Sequence, residues 1–175
     1  MADVNFNMPK QWPDTAQPEG NDSASGTLEY ELIELLFFAY RDFISDPDEI
    51  LAEYGFGRAH HRVLHFVSRN PGIRVTELLD ILKITKQSLG RVLKQLIDEG
   101  FIDQKTGPLD RRQRLLYATD KGCALAERLA SPQSKRLEQA LASLPDGGHE
   151  IARQFLYRII DGDERARVAL LANKR

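Results

Sequence analysis

Apolar residues recur along this chain with a helical period, interrupted by short polar breaks. LEYELIELLFFAYRDFI sets Leu28, Leu32, Leu35, Leu36, Ala39 and Phe43 at helical spacing, with more apolar bulk at Ile33, Phe37 and Phe38. That stripe is wider than a surface helix needs, which predicts a second surface beyond its own domain. SDPDEI predicts a break and a short helix to Tyr54, and GFG at 55–57 a further break. A helix is expected from Arg58 to Arg69, with Val63, Leu64, Phe66 and Val67 inward and Asn70-Pro71-Gly72 closing it. Ile73 and Arg74 suit one short strand, and VTELLDIL a short helix with Leu78, Leu79 and Leu82 inward. After the tight link KIT comes TKQSLGRVLKQLIDEG, a helix with a glycine inside it.

FIDQK and RLLYA then read as strands around TGPLDRRQ, a turn suited to a β-hairpin. From Asp120 the helical period resumes through DKGCALAERLASPQSKRLEQALASL, where Pro132 is expected to kink or break the helix. PDGG ends it, HEIARQFLYRII forms another helix, and ERARVALLA a last one. Residues 1–26, rich in Pro, Asn, Asp, Gly and Ser without a period, read as a flexible tail. The expected organisation is that tail, a helical segment at 27–57, a central unit at 58–120, and a second helical segment at 121–175.

A short helix tightly linked to a longer one, followed by a hairpin, is the plan of a winged helix-turn-helix. The expected fold is therefore mainly α, a winged helix-turn-helix core with flanking N- and C-terminal helices. At about 100° per residue, Leu89, Val92, Leu93, Leu96 and Ile97 share one arc of the helix after Thr85. Lys86, Gln87, Ser88, Arg91, Lys94 and Gln95 face the other way. Thr85 suits the N-cap, and Gly100 a left-handed ending. Cations and amides on such a face can donate to phosphates or to base edges. The hairpin loop adds Asp110, Arg111, Arg112 and Arg114, and arginines at a wing tip can enter a minor groove. Gly90 should cost about 1 kcal/mol relative to alanine. Its place beside the apolar boundary predicts close approach to a phosphate or to the preceding helix.

Charge sharpens this division. The net charge is only −2, but residues 1–57 hold two Lys/Arg against twelve Asp/Glu, a balance of −10. Residues 58–120 stand at +5 and residues 121–175 at +3. A basic middle in an acidic chain fits a local anionic partner, here double-stranded DNA. With 42% hydrophobic and 29% charged residues the composition is that of a globular domain. No apolar run reaches the roughly 18 residues of a membrane span, and the first residues lack a secretory pattern, so a cytoplasmic location without membrane contact is expected.

The run VTELLDILKITKQSLGRVLKQLIDEGFI, followed by PLDRRQRLLYATDKG, resembles the MarR family of winged helix-turn-helix regulators. Asp110-Arg111-Arg112 and Thr119-Asp120-Lys121-Gly122 match that family's hairpin ending and the opening of its next helix. The resemblance implies DNA binding by Lys86, Gln87, Ser88, Arg91, Lys94, Arg111 and Arg112, with Asp110 supporting the wing. It also implies a homodimer whose dimerisation region is formed by the flanking helical segments 27–57 and 121–175 around a DNA-binding domain at 58–120, a pseudo-palindromic operator and release by a small effector. RAHHRVLHFVSRNPG and ILKITKQSLGRVLKQLIDEGFI are similar to a PetP-like branch. The chain departs from the family at Gly107 and Leu109, where an Asp and an Arg are frequent, and at Gly90 and Arg74, where Ser or Thr is usual.

Other residues invite chemistry. His61 and His65 lie one turn apart beside His60, a spacing open to two metal ligands, but no Cys or acid lies near in sequence. A structural role is expected, with an effector pocket at His61 and His65 as the alternative. Asp46, Asp48, Glu49 and Glu53 read as a solvated acidic face, and the single Cys123 as an inert thiol. No cofactor or metal is expected. The chain lacks a phosphate-binding Gly loop, a nucleophile elbow and HExxH, which argues against an enzyme. The competing function is a winged-helix module for protein–protein contact without specific DNA binding.

Overall fold

A computed structural model describes residues 28–108 and 110–172 of the chain. The expected tail at 1–26 and the wing position Leu109 lie outside the described residues. Among the described residues seven helices and three strands follow in the order α1 (Tyr30–Ala52), α2 (Arg58–Arg69), β1 (Ile73–Arg74), α3 (Val75–Leu82), α4 (Lys86–Asp98), β2 (Ile102–Thr106), β3 (Arg114–Ala118), α5 (Asp120–Ala142), α6 (Gly148–Ile159) and α7 (Gly162–Ala172). The strands form one antiparallel sheet in the order β1-β3-β2, with Leu116 opposite both Ile73 and Gln104. The fold is a winged helix-turn-helix in a mainly helical chain.

One core lies at the centre of the winged unit. Val63, Leu64 and Val67 of α2, Leu78 of α3, and Leu89, Leu93 and Leu96 of α4 are buried together with Leu116 of β3. Leu51 of α1 and Leu125 and Leu129 of α5 close it from the other side. The inward face of α4 is thus the apolar arc read from its sequence. Thr85 caps α4 by accepting from the Ser88 N–H at 3.2 Å. At the other end Gly100 takes φ +75°, and its N–H and that of Phe101 donate to Ile97 O and Leu96 O, a Schellman ending.

Two expected breaks are absent. SDPDEI does not interrupt α1, which runs unbroken to Ala52 with Pro47 buried inside it. A proline leaves the carbonyl four residues earlier without its helical donor. That carbonyl belongs to Phe43, and it accepts from Gln133 Nε2 of α5 at 3.1 Å. Packing against α5 therefore replaces the missing bond. Likewise α5 continues through Pro132 to Ala142. Of the acids expected to form a solvated face, Glu49 and Glu53 are exposed, and three of the four also pair with cations of other helices. Asp46 pairs with Arg136 at 3.0 Å and Glu53 with Arg128 at 2.7 Å, both from α5, and Asp48 pairs with Arg58 of α2 at 2.8 Å. The Arg128 guanidinium beside Glu53 holds its carboxyl below the ordinary range.

The hairpin is fastened to α5 by a short motif. Thr119 caps α5 by accepting from the Gly122 N–H at 3.0 Å, and its hydroxyl donates to Gly100 O at 2.8 Å. Gly122 lies so close to the Phe101 carbonyl that a Cβ there would stand 2.1 Å from its oxygen. Lys121 Nζ donates to Glu99 O at 2.8 Å, at the negative end of α4, and lies 4.0 Å from the centre of the Phe101 ring.

These contacts set two glycines apart. Gly122→Ala should destabilise the protein by about 1–3 kcal/mol, because the backbone must move to admit the methyl group. Gly90→Ala meets nothing within 4 Å and should stabilise it by up to about 1 kcal/mol. Urea denaturation of both variants checks the opposite signs.

Candidate nucleic-acid interface

Burying one face of α4 presents the other. Lys86, Gln87, Ser88, Arg91 and Lys94 are all exposed. Lys86, Gly90 and Lys94, each one turn from the next, form one wall of an open cleft of about 730 Å³. The opposite wall comes from the hairpin through Gln104, Arg112 and Arg114, and Arg74 and Thr76 of the α3 start close one end. Gln87, Ser88 and Arg91 lie on the exposed side of α4 beyond the cleft wall. Arg111 is exposed at the hairpin turn, also outside the cleft.

The expected donors are not equally free. Lys94 is ion-paired with Asp98 on its own helix, one turn on, which offsets its charge. The Ser88 hydroxyl accepts from Thr85 Oγ1 at 2.9 Å and belongs to the N-cap as well as to the surface. Gln95, placed on the outer arc by its spacing, is instead half-buried and held by His60 and Glu99. Gly90 makes no close approach to another helix, so the expectation that it packs against the preceding helix fails. Its bare backbone opens into the cleft between two lysines.

The hairpin turn is built by Asp110. Its carboxylate accepts from the Arg112 N–H at 2.9 Å, and its carbonyl accepts from the Gln113 N–H at 3.0 Å. This Asx-type turn fixes the backbone from which Arg111 and Arg112 project. Gly107 is buried against that turn, with room too small for a Cβ beside Asp110 O at 2.9 Å. Arg114 donates to Thr106 Oγ1 at 3.0 Å across the hairpin. Arg74 and Gln104 were not among the sequence candidates for this surface. The sequence pattern placed Arg74 in a short strand before a helix and Gln104 in the strand FIDQK, and nothing in their spacing showed that both border the cleft.

The three histidines separate. His60 Nδ1 accepts from the Gly57 N–H at 3.1 Å, so Nε2 carries the proton and donates to Gln95 Oε1 at 2.9 Å. Its ring stacks on Phe56 with centroids 4.7 Å apart. His60 thus ties the start of α2 to α4. His61 and His65 instead line a cavity of about 260 Å³ between α1, α2 and α5, with Tyr40, Phe43 and Gln133. Among the described residues no group of three His, Cys, Asp or Glu side chains forms a metal site. Cys123, near the start of α5, is half-buried.

Burial holds both His61 and His65 below their ordinary value of 6.5, with His65 adding to the effect on His61 and Arg69 to that on His65. The unfolded chain therefore binds protons at these rings before the folded chain does. Stability should be level above about pH 7 and decline as pH falls through 6.5. Replacing both histidines by glutamine should flatten that decline in melting temperature between pH 7 and 5.

Comparison with known proteins agrees with this architecture. A model of the MarR family matches residues 54–113. The HTH-type transcriptional regulator PetP of Rhodobacter capsulatus is 42% identical over 139 residues, covering 79% of this chain and 84% of that protein. The structure of Streptococcus pneumoniae FabT in complex with DNA superposes with a TM-score of 0.66 at 16% identity, over 75% of this chain and 94% of that one. A mutant MarR from E. coli complexed with operator DNA gives a TM-score of 0.58 at 21% identity, over 78% and 100%. The cleft between α4 and the hairpin, the Asp-Arg-Arg turn and the extended identity to a named regulator lead to one assignment: the chain belongs to the MarR family of winged helix-turn-helix transcriptional regulators.

Proposed function

We propose that this regulator reads double-stranded DNA as a homodimer, with α4 in the major groove and the hairpin along the adjacent minor groove. The observation that carries the reading is the shared cleft, where Lys86 of α4, Arg112 and Arg114 of the hairpin and Arg74 converge without a core of their own. Arg91, with Gln87 and Ser88 beside it, faces base edges in this docking, and Arg111 and Arg112 face the phosphates and the minor groove. Lys94 steers less than its charge suggests, because Asp98 neutralises it. Asp110 supports the wing. Gly90 admits the sugar–phosphate chain close to the helix backbone.

The dimer is supported by what α1 and α6 leave uncovered. Phe37 is 66% exposed, Leu35 46%, Ile151 68% and Leu156 55%, and these belong to two helices rich in such residues. A second copy covers these faces and sets two α4 helices on successive major grooves of a pseudo-palindrome. The cavity at His61 and His65 is the effector site in this reading, because it lies where α1 and α5 meet the winged unit. No membrane contact is invoked, since no described helix is long and apolar enough to cross one. A cytoplasmic location follows from a DNA target.

Retention of genomic DNA fragments by the full-length protein, with competitor DNA in excess, tests this function. Arg91→Ala should lose specific binding by about 1–3 kcal/mol and relax sequence preference. Arg112→Ala should weaken binding to all sequences and reduce the salt slope by about 1. Sedimentation should give a dimer at micromolar concentration. A monomer, or equal retention by both variants and the wild type, would sink the docking.

A further inference from the structure

The turn that delivers α4 is gripped from behind by the last helix. Lys83 ends α3 at φ 51°, where it is the one non-glycine residue of positive φ among the described residues. That conformation is disfavoured for any residue with a Cβ, and glycine or asparagine is the usual occupant. A lysine there points to a use for its side chain. Its Nζ lies 2.8 Å from Glu164 Oε1 of α7. The other Glu164 oxygen lies 3.1 Å from Arg167 Nη2, and that nitrogen donates to Asp80 O at 2.6 Å.

Asp80 carries one of the last carbonyls of α3, which a helix end leaves without an internal donor. A guanidinium at that place also meets the negative end of the helix dipole. The hold is polar rather than packed. α7 buries no residue of its own, and open cavities of about 460 and 750 Å³ flank Arg167. Arg167 Nε is buried without a hydrogen-bond partner, so the guanidinium sits where its Nη contacts place it at the expense of its third donor. Two residues after Lys83 comes Thr85, the cap of α4, and then Lys86, Gln87 and Ser88.

We infer that Glu164 and Arg167 are positioning residues for α4: through Lys83 and the Asp80 carbonyl, α7 fixes the α3–α4 turn and with it the angle at which α4 is presented. The functional part of this inference rests on the DNA-reading role proposed above. Its structural part does not. Because the clamp is made of exposed or half-exposed charges, loosening it changes presentation without unfolding the core, and it weakens with salt.

Hydrogen exchange of the full-length protein without DNA tests the clamp directly. In Glu164→Gln and in Arg167→Gln, amides of residues 80–86 should exchange severalfold faster, while those of residues 92–96 keep their protection. On a genomic fragment retained by the wild type, each variant should bind about two- to fivefold more weakly. Lys83→Gln should show a similar loss, and the Lys83→Gln/Glu164→Gln double variant should lose no more than either single one. Unchanged exchange at 80–86 in both variants would overturn the clamp, as would additive losses in the double variant. If the wild type retains no specific fragment, DNA reading fails, and the exchange result still decides whether the clamp exists.

Discussion

The close approach of Gly122 to the Phe101 carbonyl is the constraint on which the rest of the arrangement depends. It lets the first turn of α5 sit directly on the chain where α4 ends and β2 begins. Thr119 then binds both sides of that point, through Gly100 O and the Gly122 N–H, and Lys121 caps the carbonyl end of α4. The helix α4, the hairpin and the long helix α5 thus meet in one joint. A shift of α5 carries α4 and the wing together, because neither can move alone without breaking these bonds. The motif Thr-Asp-Lys-Gly has a physical meaning here: a cap, a cation for a helix end, and a position that tolerates no side chain.

A second seam sets what the rest of the chain can do. α1 crosses α5 over a line of polar contacts: Asp46 with Arg136, Glu53 with Arg128, and the Phe43 carbonyl with Gln133. These contacts occupy the acids and the proline-freed carbonyl, so that α1 stays helical through Pro47. Leu35, Phe37 and their neighbours on the same helix are exposed. Exposed ion pairs of this kind contribute little stability singly. Their role is orientation, with the apolar face left for a second copy in the proposed dimer.

Local signals in the sequence were enough for the winged unit. The apolar arc of α4, Thr85 before it and Gly100 after it depend on residues near in sequence, and the helix forms between those limits. The bounds of α2, β1 and α3 were legible for the same reason. Several of the misreadings involve partners far along the chain. Pro47 read as a break because its compensating donor, Gln133, lies in another helix. The ion pairs of Asp46 and Glu53 went unread because Arg136 and Arg128 are distant in sequence. Gln95 read as surface, although His60 draws it inward. For the candidate site, the residue types on α4 and at the wing were readable. Which of them share the cleft was not: Lys86 and Arg112 line it, while Arg91 and Arg111 stand outside it, and Arg74 and Gln104 join it.

The central claim is that two copies of the chain present α4 and the hairpin to one duplex. Its most direct test is the sequence recovered from a random DNA pool by the full-length protein, together with the number of chains bound per duplex. The account predicts an inverted repeat with half-site centres about 10 base pairs apart, or a multiple of that spacing, and two chains on each site. Recovery of no consensus, or of a single unrepeated half-site holding one chain, would contradict it.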